Sequence, residues 1–258
     1  MVRLLASTTA ITDAAQSDLV TAGHNGDILL TTLNGSIVIN DGDADQVGIV
    51  AHGAGNVRID ADGLGADVTN HARINSTSGH ITVTAADALS LLANLSTAGN
   101  GTVTLDAEAG ALTMAGAVSV TATDSSARLN AATDLTVGNV QATNVSLVAD
   151  SGSIINAAGS SMNVTATNLR VSADDQIGSA ARHLTTTVAT VSALSTGTDT
   201  AGIFVTEADD IRVDSVTVST TAFNSDASTT AVTDAAQADL VTADNNGDIV
   251  LTTLNGSI

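Results

Sequence analysis

Apolar residues along this chain recur at every second position in short runs, as in Val57/Ile59, Ile81/Val83, Val103/Leu105, Leu112/Met114, Leu135/Val137, Val145/Leu147, Leu169/Val171 and Ile203/Val205. Such alternation sends one row of side chains inward and the next outward, the pattern of a half-buried β-strand. The predicted outward set includes Thr82, Thr104, Ser119, Ser146, Arg170 and Arg212. Gly, Asn, Asp, Ser and Thr separate the runs. From Val103 onward new runs begin at Leu112, Val118, Ala127, Leu135, Val145, Ile154 and Val164, which leaves only short turns between strands. Two segments break the alternation. Asp13-Ala14-Ala15-Gln16 reads as a helix N-cap, and Thr84-Ala85-Ala86-Asp87 opens an Ala/Leu run to Leu95 that reads as a short helix.

A long-range repeat organises these strands. Residues 6–37 return as residues 227–258, displaced by 221 positions, with only Ile11/Val232, Ser17/Ala238, Gly23/Asp244, His24/Asn245 and Leu29/Val250 differing. The chain is therefore read as one period of a tandem array plus an overlap, a single solenoid segment over residues 1–258. Composition points the same way. There is no Trp, Tyr, Pro or Cys, and Phe204 and Phe223 are the only aromatic residues. An interior made of Val, Ile, Leu and Ala suits a narrow core filled layer by layer between closely spaced backbones.

These features predict an all-β fold, a parallel β-helix of about 20 residues per coil and about 11 coils per period, rising about 50 Å. Asn and Thr at equivalent turns would form side-chain ladders between coils, and Asn34-Gly35 and Asn255-Gly256 are tight-turn pairs. The alternative is a tandem pair of Ig-like β-sandwich domains, a calcium-stiffened adhesin stalk, although no similarity at half the period supports it.

The strings GDI-x-LTT-x-NGSI (26–37), GTVTLDAEAGALTMAG (101–116) and NVSLVADSGSIINAAG (144–159) resemble the repeat regions of giant bacterial exoproteins of the filamentous-haemagglutinin type. The resemblance is one of rhythm and covers nearly the whole chain. It implies a right-handed parallel β-helix, secretion or display at the bacterial surface, and a part in adhesion or cell-to-cell contact. The chain departs from that pattern in its 221-residue period and its lack of Lys.

Charge excludes several functions. With 27 acidic residues against seven Arg, the formal net charge of −20 repels nucleic acid and anionic membrane surfaces. No apolar run approaches the ~20 residues that span a bilayer, so membrane insertion is not expected. The opening residues 1–6 are too short an apolar run for a signal peptide.

Candidate chemistry is sparse. Asp41, Asp43 and Asp45 alternate in one loop, and Asp60 and Asp62 follow, which gives oxygen donors suited to Ca²⁺ but no EF-hand continuation. The bland reading is a set of solvated turn residues, and no resident cofactor is expected. Glu207, Asp209, Asp210, Arg212 and Asp214 form the densest charged run; it offers paired carboxylates for acid/base work but reads better as solvated positions flanking Ile211 and Val213. His24, His52, His71, His80 and His183 lack metal-binding spacing, and there is no nucleophile elbow or phosphate-binding loop. Gly53/Gly55 and Gly63/Gly65 read as turns, and Asn75-Ser-Thr77 and Asn144-Val-Ser146 carry no glycan message in a bacterial protein. A β-helix enzyme acting on polysaccharide lacks its usual aromatic platforms. The expectation is a non-enzymatic structural and adhesive rod whose partners are neighbouring repeats, end-to-end copies and a cell-surface or extracellular ligand.

Overall fold

The computed structural model describes residues 17–197, 201–243 and 246–258, so the cap at 13–16 and the opening residues lie outside the described part. Among the described residues every regular element is a β-strand and none is a helix. Pairing between strands is parallel throughout, with one exception, the hairpin of Ser219–Phe223 and Thr229–Thr233.

The strands stack in three ladders. The first runs through Leu19–Thr21, Val47–Ala51, Arg73–Ser76 and Leu95–Thr97. The second takes Ile28–Thr32, Val57–Ala61, Ile81–Ala85 and Val103–Ala107. The third takes Ile37–Ile39, Val68–Asn70, Leu89–Leu91, Leu112–Met114, Leu135–Val137 and Ile154–Asn156. Single bridges from Ile154 to Ile177 and from Ile177 to Ile203 extend it. Each circuit visits the three ladders in turn and then begins again one strand further along. In the second ladder the register advances from Ile28 to Val57, Ile81, Val103, Ala127, Val145, Leu169, Val191 and Val213.

The alternation predicts the interior well. Val57, Ile59, Ile81, Val83, Val103, Leu105, Leu129, Leu147 and Val171 all lie in one continuous buried core. Burying each such side chain is worth about 1.5–3 kcal/mol, so an aliphatic interior without rings suffices once the coils are stacked.

The corner between the first two ladders changes character along the chain. In the early coils it is built on Gly26, Gly55, Gly79 and Gly101. A Cβ on Gly55 would fall under 3.0 Å from the Gly26 carbonyl oxygen, one on Gly79 from that of Gly55, and one on Gly101 from that of Gly79. The same carbonyls accept hydrogen bonds from Ser76 Oγ and Thr97 Oγ1, both at 2.7 Å. From residue 119 the corner glycines disappear. Ser119–Ala131, Asn139–Ala149, Val164–Ala173 and Leu184–Ser195 pass from the first ladder into the second as single long strands.

The helix predicted over 84–95 is replaced by strand residues. Ala85 ends one strand, Leu89–Leu91 form another, and Leu95–Thr97 a third. Ala85, Leu89, Leu91 and Leu95 are all fully buried, while the carbonyl of Ala66 binds Asp87 N and Asp67 Oδ1 binds Ala88 N. Those cross-coil bonds turn the chain at Asp87, and tertiary packing overrides the helix propensity of Ala and Leu.

Beyond Val213 the chain leaves the stack and returns to it at Leu240. Residues 214–239 form a strap carrying the antiparallel hairpin, which reaches back along the outside of the second ladder. Phe223 is fully buried beneath it.

The sequence repeat is also a structural one. Leu240–Thr242 and Ile249–Thr253 reproduce the bounds of Leu19–Thr21 and Ile28–Thr32. Leu19 pairs with Ile49 in the first ladder, however, whereas its copy Leu240 pairs with Ala193 in the second. Ile28 belongs to the second ladder, whereas its copy Ile249 pairs with Ile203 in line with the third, and residues 251–253 pair with 205–207 in line with the first. Within the described part of the repeat, these strands keep their bounds and change sides.

Candidate functional site

Three places concentrate polar groups. The first is the acidic loop at 41–46. Asp41 accepts hydrogen bonds from the backbone N–H groups of Ala44 (2.7 Å) and Gln46 (2.9 Å), and Asp45 from that of Val47 (2.8 Å). Ala44 and Gln46 adopt φ of 69° and 67°, conformations that these short carboxylate bonds hold in place. Asp18 approaches from the preceding coil, and one oxygen each from Asp18, Asp43 and Asp45 lies within 4.8 Å of the others. Desolvation first, then the neighbouring Asp45, Asp43 and Asp41, push the Asp18 carboxyl above the usual range. Three oxygens are half of what Ca²⁺ takes up; both Asp41 oxygens, Asp43 Oδ1 and Asp45 Oδ1 serve the turn, while the buried Asp18 Oδ1 has no hydrogen-bond partner. Asp60 and Asp62 do not join them. Asp60 pairs with Arg58 at 2.7 Å, and Asp62 caps Gly63 N.

The second place is the run from Glu207 to Asp214. Asp209 and Asp214 are exposed, and Arg212 and Asp214 form a loose surface pair at 3.5 Å, as a solvated face should. Glu207 differs from that expectation because it is fully buried. Its carboxylate accepts hydrogen bonds from Thr186 Oγ1 (2.7 Å), Val188 N (3.1 Å) and Ala208 N (2.9 Å), and so closes a turn by supplying acceptors for backbone donors. Burial pushes its carboxyl above the ordinary range, opposed by those hydrogen bonds. A raised folded-state value means that stability from Glu207 is fully present below about 4.3, the ordinary Glu value, and is lost as pH rises through the folded value. The stability advantage of the native chain over Glu207→Gln is therefore expected to narrow as pH rises through and above the ordinary carboxylate range, read by urea denaturation at a series of pH values. A constant difference would remove Glu207 as the cause.

The third place is the seam beneath the strap, which sequence reasoning missed. Arg58, Thr82, Thr104, Arg128, Ser146, Arg170 and Ser192 are successive register partners and so form one outward column. At a strand spacing of ~4.8 Å it extends for about 29 Å. The strap binds along most of it. Arg58 Nη1 donates to Phe223 O (3.1 Å), and Phe223 N donates to Thr82 Oγ1 (2.8 Å). Thr102 Oγ1 accepts from Thr221 N and donates to Thr221 O, both at 2.9 Å. Arg128 Nε meets Asp234 at 3.1 Å, Arg170 Nε donates to Ala235 O at 3.1 Å, and Gln237 Nε2 donates to Val171 O at 2.8 Å. Thr82, Thr104 and Ser146 point outward from their strands as predicted, yet the strap buries them. The alignment of Arg58, Arg128 and Arg170 was available as a signal once the register was known.

The remaining candidates scatter. His24, His52 and His71 are exposed and separate, while His80 and His183 each meet a threonine of the next coil, Thr102 at 3.0 Å and Thr206 at 2.8 Å. Gly53, Gly63 and Gly65 have φ of 63°, 101° and 73°, as turns require. Asn75 and Asn144 lie in cross-coil ladders, Asn75 with Ser96 Oγ and Asn144 with Asn168 Nδ2, both at 2.8 Å. Two shallow grooves of about 300 and 320 Å³ share Ala166 and Thr167 and are lined mainly by threonine and alanine, with Val188, Asp209 and Asp210 in one and Asp124 and Gln141 in the other. Neither groove brings a nucleophile to a base.

No protein-family model matches the chain, no curated protein matches it, and no solved structure matches it.

Proposed function

We propose that the chain is a non-enzymatic rod segment of a giant secreted or surface-displayed bacterial protein, in which stacked coils give reach and multivalent cell-cell or surface contact. The observation that carries this reading is the double use of the repeated sequence. As Leu19–Thr21 and Ile28–Thr32 it pairs with the coil after it; as Leu240–Thr242 and Ile249–Thr253 it pairs with the coil before it. One sequence with a partner on either side lets coils follow one another without a seam, and stability becomes a sum of neighbour interfaces. The chemistry supports the same reading, because the polar groups that come together are spent on turns, corners and the strap.

Parallel stacking supports the β-helix reading over the sandwich alternative. β-Sandwich stalks pair their strands antiparallel, whereas here the stacked strands are parallel. The second ladder from Ile28 to Val213 has eight steps, a rise of about 38 Å. Electron microscopy of chains with increasing numbers of periods is expected to show thin rods that lengthen by a constant increment and ignore a chelator. Beads that loosen on chelation would favour the calcium-stiffened stalk, for which Asp18, Asp43 and Asp45 are the oxygen donors.

A further inference from the structure

A ladder of side chains crosses the coils at the start of the second ladder's strands. Asp27 Oδ1 accepts the backbone N–H of Asn56 (2.7 Å), Asn56 Oδ1 that of His80 (2.8 Å), and His80 Nδ1 that of Thr102 (3.2 Å). His80 therefore stands where carboxylate and amide oxygens stand in the coils before it, and an imidazole nitrogen accepts only while it carries no proton. The ladder ends on the strap. The Thr102 hydroxyl, 3.0 Å from His80 Nδ1, accepts from Thr221 N and donates to Thr221 O, both at 2.9 Å. Thr102 is thus held by His80 on one side and holds the hairpin on the other.

We propose that His80 is a pH-sensitive latch for the strap, closed while the imidazole is neutral and released when it is protonated. A proton on Nδ1 turns an acceptor into a donor that faces two groups of Thr102. It can serve the hydroxyl only by leaving the Thr102 backbone N–H without its acceptor. Nothing nearby offsets the new charge. Ala54, Asn56, Ser78, Gly79, Asn100 and Thr229 line the groove beside the ring, and none of them is charged. The ionisable groups on the surrounding elements are engaged elsewhere or stand in solvent. Asp27 takes the Asn56 N–H, Arg58 pairs with Asp60 at 2.7 Å, Asp106 accepts from Asn130 Nδ2 at 3.0 Å, Asp226 accepts from Ser228 Oγ at 2.6 Å, and His52 is exposed. Because Thr229 belongs to the hairpin, lifting the strap opens this groove to water. Burial holds the closed-state imidazole below the ordinary histidine value, so the open state takes up the proton first. Closure is at full strength above about pH 6.5 and weakens as pH falls through that value toward the closed-state one. Release uncovers Arg58, Thr82 and Thr104, the part of the outward row that the hairpin binds.

Amide exchange of the full chain, corrected for the intrinsic pH dependence of exchange, tests this. Protection at Thr221 and Phe223 is expected to fall by up to about tenfold for each pH unit below about 6.5, the limit for one proton, while Val83 and Leu105 stay protected. His80→Asn keeps an oxygen acceptor, as Asn56 supplies one coil earlier, and carries no proton to titrate; its strap is expected to stay closed over the same range. Nitrogen NMR of the native chain at neutral pH is expected to place the His80 proton on Nε2. Strap protection that is flat or rises in acid overturns the proposal, as does an Nδ1 proton at neutral pH. An undiminished pH dependence in His80→Asn overturns it by assigning release to another group. A loss shared by Val83 and Leu105 overturns it as well, because the coils themselves would then be unfolding.

Discussion

Gly79→Ala lowers stability by about 3 kcal/mol, the upper part of the range for forcing an added methyl group into a packed interior. The added Cβ would meet backbone, the carbonyls of Gly55 and Ala54, and not a side chain that can swing aside. Relief requires one coil to move off the one before it, which also loosens the Ser76 Oγ bond to the Gly55 carbonyl. Gly65→Ala is the comparison. A methyl group there meets open space, so its cost comes from the positive φ of 73° alone, about 1 kcal/mol. Urea midpoints with unchanged slopes measure both. Equal costs at the two positions would mean that the glycine corner is not a close stack of carbonyls.

Phe223→Ala is the second large effect, and its signature is local. Truncating a fully buried phenylalanine costs about 3–5 kcal/mol, but the strap is an excursion whose release leaves the three ladders paired. The loss is therefore expected as strap opening, with faster proteolysis at residues 224–228 and faster amide exchange at Thr221 and Ala222, while protection at Val83, Leu105 and Leu129 persists. Unchanged protection of the hairpin would show that its hydrogen bonds to Arg58, Thr82 and Thr102 hold it without the ring. Simultaneous loss of protection in the ladders would show that strap and coils unfold as one.

How far the sequence discloses this structure depends on how local each signal is. The strands from Val57 to Val171 were legible because alternate burial repeats every two residues. The short Ala/Leu run near Leu89 was misread because its residues suit either a helix or a buried strand, and the choice was made by contacts with the neighbouring coils at Asp67 and Ala66. Glu207 was placed among solvated charges although Ile203, Val205 and Glu207 alternate; the period itself sets the carboxylate in the inward row. The strap had no local signal. Thr82 and Thr104 were correctly read as outward, but what covers them lies more than 100 positions later in the chain.

The change of side between Leu19 and Leu240, and between Ile28 and Ile249, means that 221 residues do not complete a whole number of circuits. In a tandem array of such periods, equivalent strands would therefore fall on different ladders in successive periods.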